Sequence, residues 1–346
     1  MPHRPDHYDY AIDPQGDSTP NKVLRWVGQN KKVLELGTAA GVMTRALRAQ
    51  GCTVTGIEYV PAMAERAAPY CERMIVGDIE TLDLNETLGE ERFDVIVAAD
   101  VLEHLRDPWH TLERLRGFLK PEGYAVLSIP NIGHAAIIAA LLGGRFDYRD
   151  KGLLDRTHLR FFTRTSIEDM LLATGWVPLA WQAQRTPPLN SEFAGSWLEL
   201  PDPLKAATQH HPDSDVYQFI VKVVPATERG WQESLRHRMH ELENHLQDTE
   251  RRFAELQARY DTTLADLREH QKAFGEAREW IAQLQQEQQE LHHQLAERDA
   301  RLAQTQHAQI LLDQLGLPLD QMATPSRSAR TRALLHAILH LWRKKP

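Results

Sequence analysis

One arrangement constrains this chain more than any other: an apolar run that ends in an acid and passes straight into a glycine-spaced turn. Val33-Leu34-Glu35-Leu36-Gly37-Thr38-Ala39-Ala40-Gly41 reads as a buried strand, then a Gly-x-x-x-Gly turn opening a helix from Val42 to Gln50. Such a turn lets backbone approach a nucleotide-like ligand closely at the carboxyl edge of a parallel sheet. The arrangement recurs. Val54-Thr55-Gly56-Ile57-Glu58, Met74-Ile75-Val76-Gly77-Asp78 and Phe93-Asp94-Val95-Ile96-Val97-Ala98-Ala99-Asp100 each close on a carboxylate. Four strand ends thus offer acids to one cleft, a far more specific signal than a single glycine loop.

Strand and helix patterns alternate from residue 23 to residue 224, which predicts an α/β fold with an open, mostly parallel sheet. Asp107-Pro108 fits an N-cap and first helical position for a helix from Trp109 to Leu119. Lys120-Pro121-Glu122-Gly123 should stop it before a strand from Tyr124 to Ile129. Thr165-x-x-Glu168 fits a capping box for a helix through Ala173, with Gly175 just past its end. Val216 to Val224 reads as the last strand, with Trp176 to Gln182 as an antiparallel partner. The net charge of -8 speaks against a general nucleic-acid binder, so no nucleic-acid partner is expected. The 2 cysteines, Cys52 and Cys71, lack metal-type spacing and read as reduced core thiols. The polar N-terminus and the lack of a run of about 18 apolar residues lead us to expect neither a secretory signal nor a membrane span. A cytoplasmic location follows as an expectation.

Glu35-x-Gly37-x-x-x-Gly41, Glu58 one strand later, Gly77-Asp78-Ile79, and Phe93-Asp94-Val95-Ile96 before Asp100-Val101-Leu102-Glu103-His104 together resemble the class I S-adenosylmethionine-dependent methyltransferases. The resemblance covers residues 20–225. It implies a Rossmann-like, seven-stranded, mostly parallel sheet with helices on both faces and one reversed strand. It also implies S-adenosyl-L-methionine as cofactor. Glu35, Gly37, Ala39 and Gly41 would hold the methionine part, and Glu58 would accept the ribose hydroxyls. Asp78 would take the adenine amino group, the Ile79 amide would meet the ring, and the backbone of Ala98, Ala99 and Asp100 would receive the amine. Glu58 lies about twenty residues past the first glycine, where a two-hydroxyl ribose needs a carboxylate. A nicotinamide dehydrogenase would show G-x-G-x-x-G instead; here Ala39 also stands where many family members carry a middle glycine.

Methyl transfer is an in-line displacement, so the protein mainly positions two reactants and removes one acceptor proton. Glu103, His104 and His158 are the candidate catalytic groups, and His134 follows the fifth strand. Asp100-x-x-Glu103-His104 with the later His158 is similar to a metal-holding pattern of small-RNA 2′-O-methyltransferases and ubiquinone-pathway O-methyltransferases, except that those families usually have Glu at the position of Asp100. The resemblance implies a divalent ion that lowers the pKa of the acceptor hydroxyl. A metal-free histidine base and purely structural roles stay open beside it. Ala140 to Phe162 reads as an insertion in which Phe146, Tyr148 and Arg149 form an acceptor lid or a structural subdomain. Asp155 to Thr163 looks like methyltransferases of bacterial cell-surface polysaccharide systems. That likeness implies a hydroxyl of a sugar, a glycan or a related cell-envelope intermediate as acceptor. The alternatives are a small-molecule quinone or catechol acceptor, and a non-catalytic scaffold carrying a degenerate domain. In the N-terminal segment, Tyr8 and Tyr10 are placed to stack over the cofactor or to pack on the surface.

The composition then changes. Positions alternately four and three apart from Leu235 to Leu312 stay in phase over about eleven heptads, mostly apolar but with His270, Gln288 and Arg298 among them. A helix of that span would extend about 115 Å. A seam so narrow cannot bury itself in one chain, so residues 228–316 are expected to pair as a coiled coil, with a second copy or another partner. A long single helix or a folded-back hairpin are the alternatives. Residues 327–346 set Arg327, Arg330, Arg332, Arg343, Lys344 and Lys345 around Leu334, Leu335, Ile338, Leu339, Leu341 and Trp342. That suits an anionic membrane surface, at the inner face of the membrane, or a partner groove, or a plain capping helix. The expected organisation is a catalytic domain at 1–226, the coil at 228–316, and a linker with an amphipathic helix at 317–346.

Overall fold

A computed structural model of the chain describes residues 12–13 and 16–314. Tyr8, Tyr10 and the stretch 317–346 lie outside the described residues. The chain divides into two compact units, Met1–Asp248 and Thr249–Pro346. The first holds seven strands: β1 (Lys32–Leu36), β2 (Thr53–Glu58), β3 (Arg73–Val76), β4 (Phe93–Ala99), β5 (Leu119–Pro130), β6 (Trp176–Arg185) and β7 (Val216–Pro225). They form one sheet in the order β3-β2-β1-β4-β5-β7-β6. The five strands from β3 to β5 pair in parallel, whereas β7 runs antiparallel to both β5 and β6. This is the seven-stranded Rossmann-like sheet that the resemblance implied, with its one reversed strand.

Alternation along each strand explains why both faces are covered. Leu34, Ile96 and Leu127 pack into one buried cluster, while Val33, Val95, Val97 and Val126 pack into another. Successive side chains of a strand point to opposite faces, so near-continuous apolar runs need helices on both sides. Those helices are α1 (Thr19–Val27), α2 (Val42–Ala49), α3 (Pro61–Ala67), α4 (Leu84–Leu88), α5 (Pro108–Leu115), α6 (Ala135–Leu142) and α7 (Arg164–Ala173). Asp107 caps α5 as expected, accepting the His110 N–H at 3.0 Å.

Three local expectations are corrected. The strand after α5 begins at Leu119, not Tyr124, because Phe93 pairs with Leu119 and a shift of register before Val95 absorbs the Lys120–Gly123 segment. Gly123 is needed there, since a Cβ would lie 2.9 Å from the Phe93 carbonyl oxygen. The capping box of α7 is Thr163 with Ser166, two residues before the expected one, while Glu168 pairs with Arg164 at 3.2 Å. The cause is tertiary: Phe162 bridges Asn131 beside β5, which holds the chain extended up to the cap. Finally, the insertion expected from Ala140 starts after α6, and a second insertion between β6 and β7 carries α8 (Ala194–Glu199) and α9 (Asp202–Gln209). Phe193 joins Ala136 and Ile137 of α6 and Leu153 and Leu154 of the first insertion in one buried cluster.

The last helix, α10 (Glu228–Gln314), is continuous over 87 residues. No break divides it, which removes the hairpin alternative. Its seam residues stand open in the single chain: Leu242 is 61% exposed, Phe253 68% and Leu291 63%. Among the described residues, no helix is long and apolar enough to cross a membrane.

Candidate functional site

Glu58 after β2, Asp78 after β3 and Asp100 after β4 all line one cleft of about 370 Å³. Glu35 of β1 lines a smaller hollow of about 110 Å³ together with Thr19 and Val23 of α1. Gly37, Ala39 and Asp100 belong to the walls of both. The turn after β1 therefore separates the two spaces.

Its backbone is shaped for close approach. Gly37 has φ +64, and a Cβ there would sit 2.9 Å from the Val101 side chain. Gly41 has φ +82, with Ala67 Cα only 2.8 Å from where a Cβ would be. Ala39, between them, also lies in the left-handed region at φ 45. Its N–H donates to Glu58 Oε2 at 2.8 Å, and the Val60 N–H donates to Glu58 Oε1 at 2.9 Å. One carboxylate thus ties the first strand-end turn to the second. An L-residue in the left-handed region costs roughly 1–2 kcal/mol, so Ala39→Gly should raise stability by about 1 kcal/mol after the added chain entropy of glycine. Gly41→Ala, which adds a Cβ with no room, should lower stability. Urea midpoints of the two variants test both signs.

Glu35 is 3% exposed, and its Oε2 has no hydrogen-bond partner in the protein. Burial pushes its carboxyl up to about 8, the Thr44 hydroxyl opposes this, and the charge of Glu58 adds to it. The folded state therefore keeps a proton that the unfolded chain releases near the ordinary value of 4.5. Stability from this group is fully present below that value and is lost as pH rises towards 8. Glu35→Gln, which stays neutral, should gain stability relative to the native chain as pH rises from 5 to 8, by up to about 1.4 kcal/mol per unit. A difference that is flat between chemical denaturations at those two pH values would refute the assignment.

Asp100 is the third non-glycine residue in the left-handed region, at φ 55. Backbone strain of this kind collects at functional sites. Ser128 Oγ donates to Asp100 Oδ1 at 3.0 Å, and Gln218 Nε2 donates to the same oxygen. The carboxyl keeps an open side towards the cleft, yet the protein packed round it raises it to about 6, with Ser128 and Gln218 opposing. Asp78 accepts the Glu80 N–H at 2.9 Å, which fixes the loop that carries Ile79. Ala99 lines the smaller hollow.

Glu103, His104 and His158 meet beyond Asp100, each offering a ligand atom within 4.8 Å of the others. The two imidazoles pack edge to face, with ring centroids 4.8 Å apart. Only His104 of the three lines the cleft. Its Nδ1 lies 3.2 Å from the Thr157 carbonyl oxygen, and His158 Nδ1 lies 3.3 Å from that of Leu153. A carbonyl only accepts, so both Nδ1 atoms carry a proton. Burial holds His158 below its ordinary pKa, in the neutral form that a base or ligand requires. Both carboxylate oxygens of Glu103 are buried without a hydrogen-bond partner, and burial, with the charge of Asp100 adding to it, raises that carboxyl well above its usual range. Asp100 stands outside this group of three, its carboxylate engaged by Ser128 and Gln218. His134 lies elsewhere, capping α6 and bonded through Nε2 to the Thr186 carbonyl at 2.8 Å.

Sequence reasoning missed Ser128 and Gln218, which hold Asp100, and Thr157, which orients His104. The first two had a signal: each is a polar residue inside an apolar strand run. Thr157 had none, because it reaches the site through a long loop.

Residues 16–180 match a family model described as "Methyltransferase domain". Ubiquinone biosynthesis O-methyltransferase of Histophilus somni is 32% identical over 152 residues, which is 39% of this chain and 64% of that protein. The protein of the same name from Psychrobacter arcticus is 29% identical over 157 residues, covering 42% of this chain and 59% of that one. The chain spans less than two thirds of the length of these curated relatives. Among solved structures, the CcbJ methyltransferase from Streptomyces caelestis has a TM-score of 0.41 and 16% identity, covering 59% of this chain and 86% of that one.

Proposed function

We propose that the protein, whose residues 16–180 match a methyltransferase-domain model, transfers a methyl group from S-adenosyl-L-methionine to a hydroxyl of a quinone- or catechol-type small molecule. The observation that carries the oxygen-directed chemistry is the Glu103–His104–His158 cluster, which opens on the strand-end cleft through His104. The relatives named as ubiquinone biosynthesis O-methyltransferases support the phenolic acceptor. None of them speaks for the sugar or glycan hydroxyl that the insertion first pointed to.

The residues fit the cofactor. Glu35 carries an orphaned buried oxygen at the smaller hollow, suited to an ammonium. Gly37 lines both hollows and leaves them free of a side chain, whereas Gly41 packs against Ala67. Glu58 and Asp78 line the larger cleft, placed for the ribose and the adenine edge, with Ile79 beside them. When bound, S-adenosyl-L-methionine supplies a methyl group on a positively charged sulfur. The protein's part is to fix the acceptor oxygen in line and take its proton. His104 lines the cleft as the group that takes that proton, and His158 and Glu103 back it. The same three groups fit a divalent ion, because two oriented imidazoles and an unpartnered carboxylate are a sensible donor set. Such an ion supplies a lowered hydroxyl pKa. We also read α10 as the element through which the protein pairs.

The test is turnover of labelled cofactor with catechol, sugar-nucleotide and lipid-linked glycan acceptors. Methylation of the catechol hydroxyl is expected. Transfer to the glycan alone would overturn the acceptor class. Undetectable cofactor binding by calorimetry would leave only the scaffold reading.

A further inference from the structure

The exposed seam of α10 carries more information than a tendency to pair. Along the helix, Leu235, Leu242, Leu256, Leu284 and Leu291 occupy one seam position of the heptad, and Leu246, Phe253, Ile281 and Leu295 the other. Among the polar residues that interrupt this row are His270, Gln288 and Arg298. What each of them faces depends on the orientation and register of the partner.

We infer that the partner is a second copy of this chain, running parallel and in register. Only then does every polar seam residue meet its own counterpart, so that Gln288 can hydrogen-bond to Gln288 of the second copy. A polar residue at one such position is the known device by which coiled coils fix register. In a fully overlapped antiparallel pair, His270 faces Phe274, Gln288 faces Leu256 and Arg298 faces Leu246. A slip of one heptad sets Gln288 against Leu295 or Ile281. Each of those arrangements leaves a polar group against apolar surface. The like-charged Arg298 layer of the parallel form is the tolerable exception, because a guanidinium can reach water along its stem.

The flanking charges agree. In the parallel, in-register pair, Arg238 of one copy lies beside Glu243 of the other. No flanking position then sets like charges together. The full antiparallel overlap instead places Glu243 beside Asp299, with Arg259 beside Glu287 as its one opposed pair of fixed charges. Opposed signs at these positions set partner choice and orientation.

This inference deepens the pairing read for α10 and does not depend on the methyl-transfer chemistry. Leu242 and Leu302 discriminate, since they face each other across the antiparallel overlap but face themselves across the parallel one. Full-length L242C and L302C are oxidised mildly, alone and as an equimolar mixture. Native chain, with Cys52 buried and Cys71 partly so, serves as the control. Each variant alone should cross-link to itself above the native background. Cross-links that appear only in the mixture would overturn the parallel orientation while leaving a dimer. Sedimentation at tens of micromolar should give twice the chain mass. A monomer there would remove the pairing altogether, without touching the proposed activity.

Discussion

Glu58→Ala should weaken cofactor binding by at least about 100-fold, with the sheet still folded. Glu58 is 5% exposed, and in the proposed cofactor site its carboxylate would accept two ribose hydroxyls. A hydrogen bond to a charged group contributes roughly 1.5–3 kcal/mol, so two of them together amount to about 10²–10⁴-fold in affinity. The variant also strips the acceptor from the Ala39 and Val60 N–H groups, which loosens the turn that walls both hollows. Glu58→Gln keeps one accepting oxygen and should lose less. Calorimetric titration with S-adenosyl-L-methionine, next to thermal unfolding of the same samples, separates lost binding from lost fold. Unchanged affinity in a folded Glu58→Ala variant would defeat the placement of the ribose.

Replacing either His104 or His158 by alanine should lower turnover by about 10²–10³-fold while leaving cofactor affinity close to native. The two imidazoles and Glu103 work at one point, so their losses should not add. A strong chelator should bring the native enzyme down to the level of the variants and do little more to them. Turnover that ignores chelator, with His104→Ala alone severely impaired, would leave His104 as a metal-free base and His158 as its packing partner. Full activity of both variants would remove the cluster from the reaction. Glu103→Gln gives a further check, because its carboxylate is buried with neither oxygen paired.

The sheet was legible because its signals are local and repeated. Val33 to Leu36, Val54 to Glu58 and Val95 to Ala99 are apolar runs ending at the same edge, and no other packing hides both faces of such strands. Glu58 and Asp78 could be set at one cleft for the same reason: parallel strands end on the same side. The bulge at Phe93 and the cap at Thr163 were not legible, because each depends on a partner far along the chain. Thr157 and Gln218 likewise reach the site only through tertiary contacts.

By itself, then, the sequence determined the alternation that makes the parallel sheet, the row of acids on its edge, and the seven-residue rhythm of α10. These follow from the periods of strand and helix, which any short stretch displays. Tertiary structure alone decided how closely the expected Glu103, His104 and His158 meet, that Asp100 is held apart by Ser128 and Gln218, and that the two insertions share one buried cluster. The reason is distance along the chain: His104 and His158 are brought together by a loop anchored at Phe162, and no local pattern records where such a loop comes to rest.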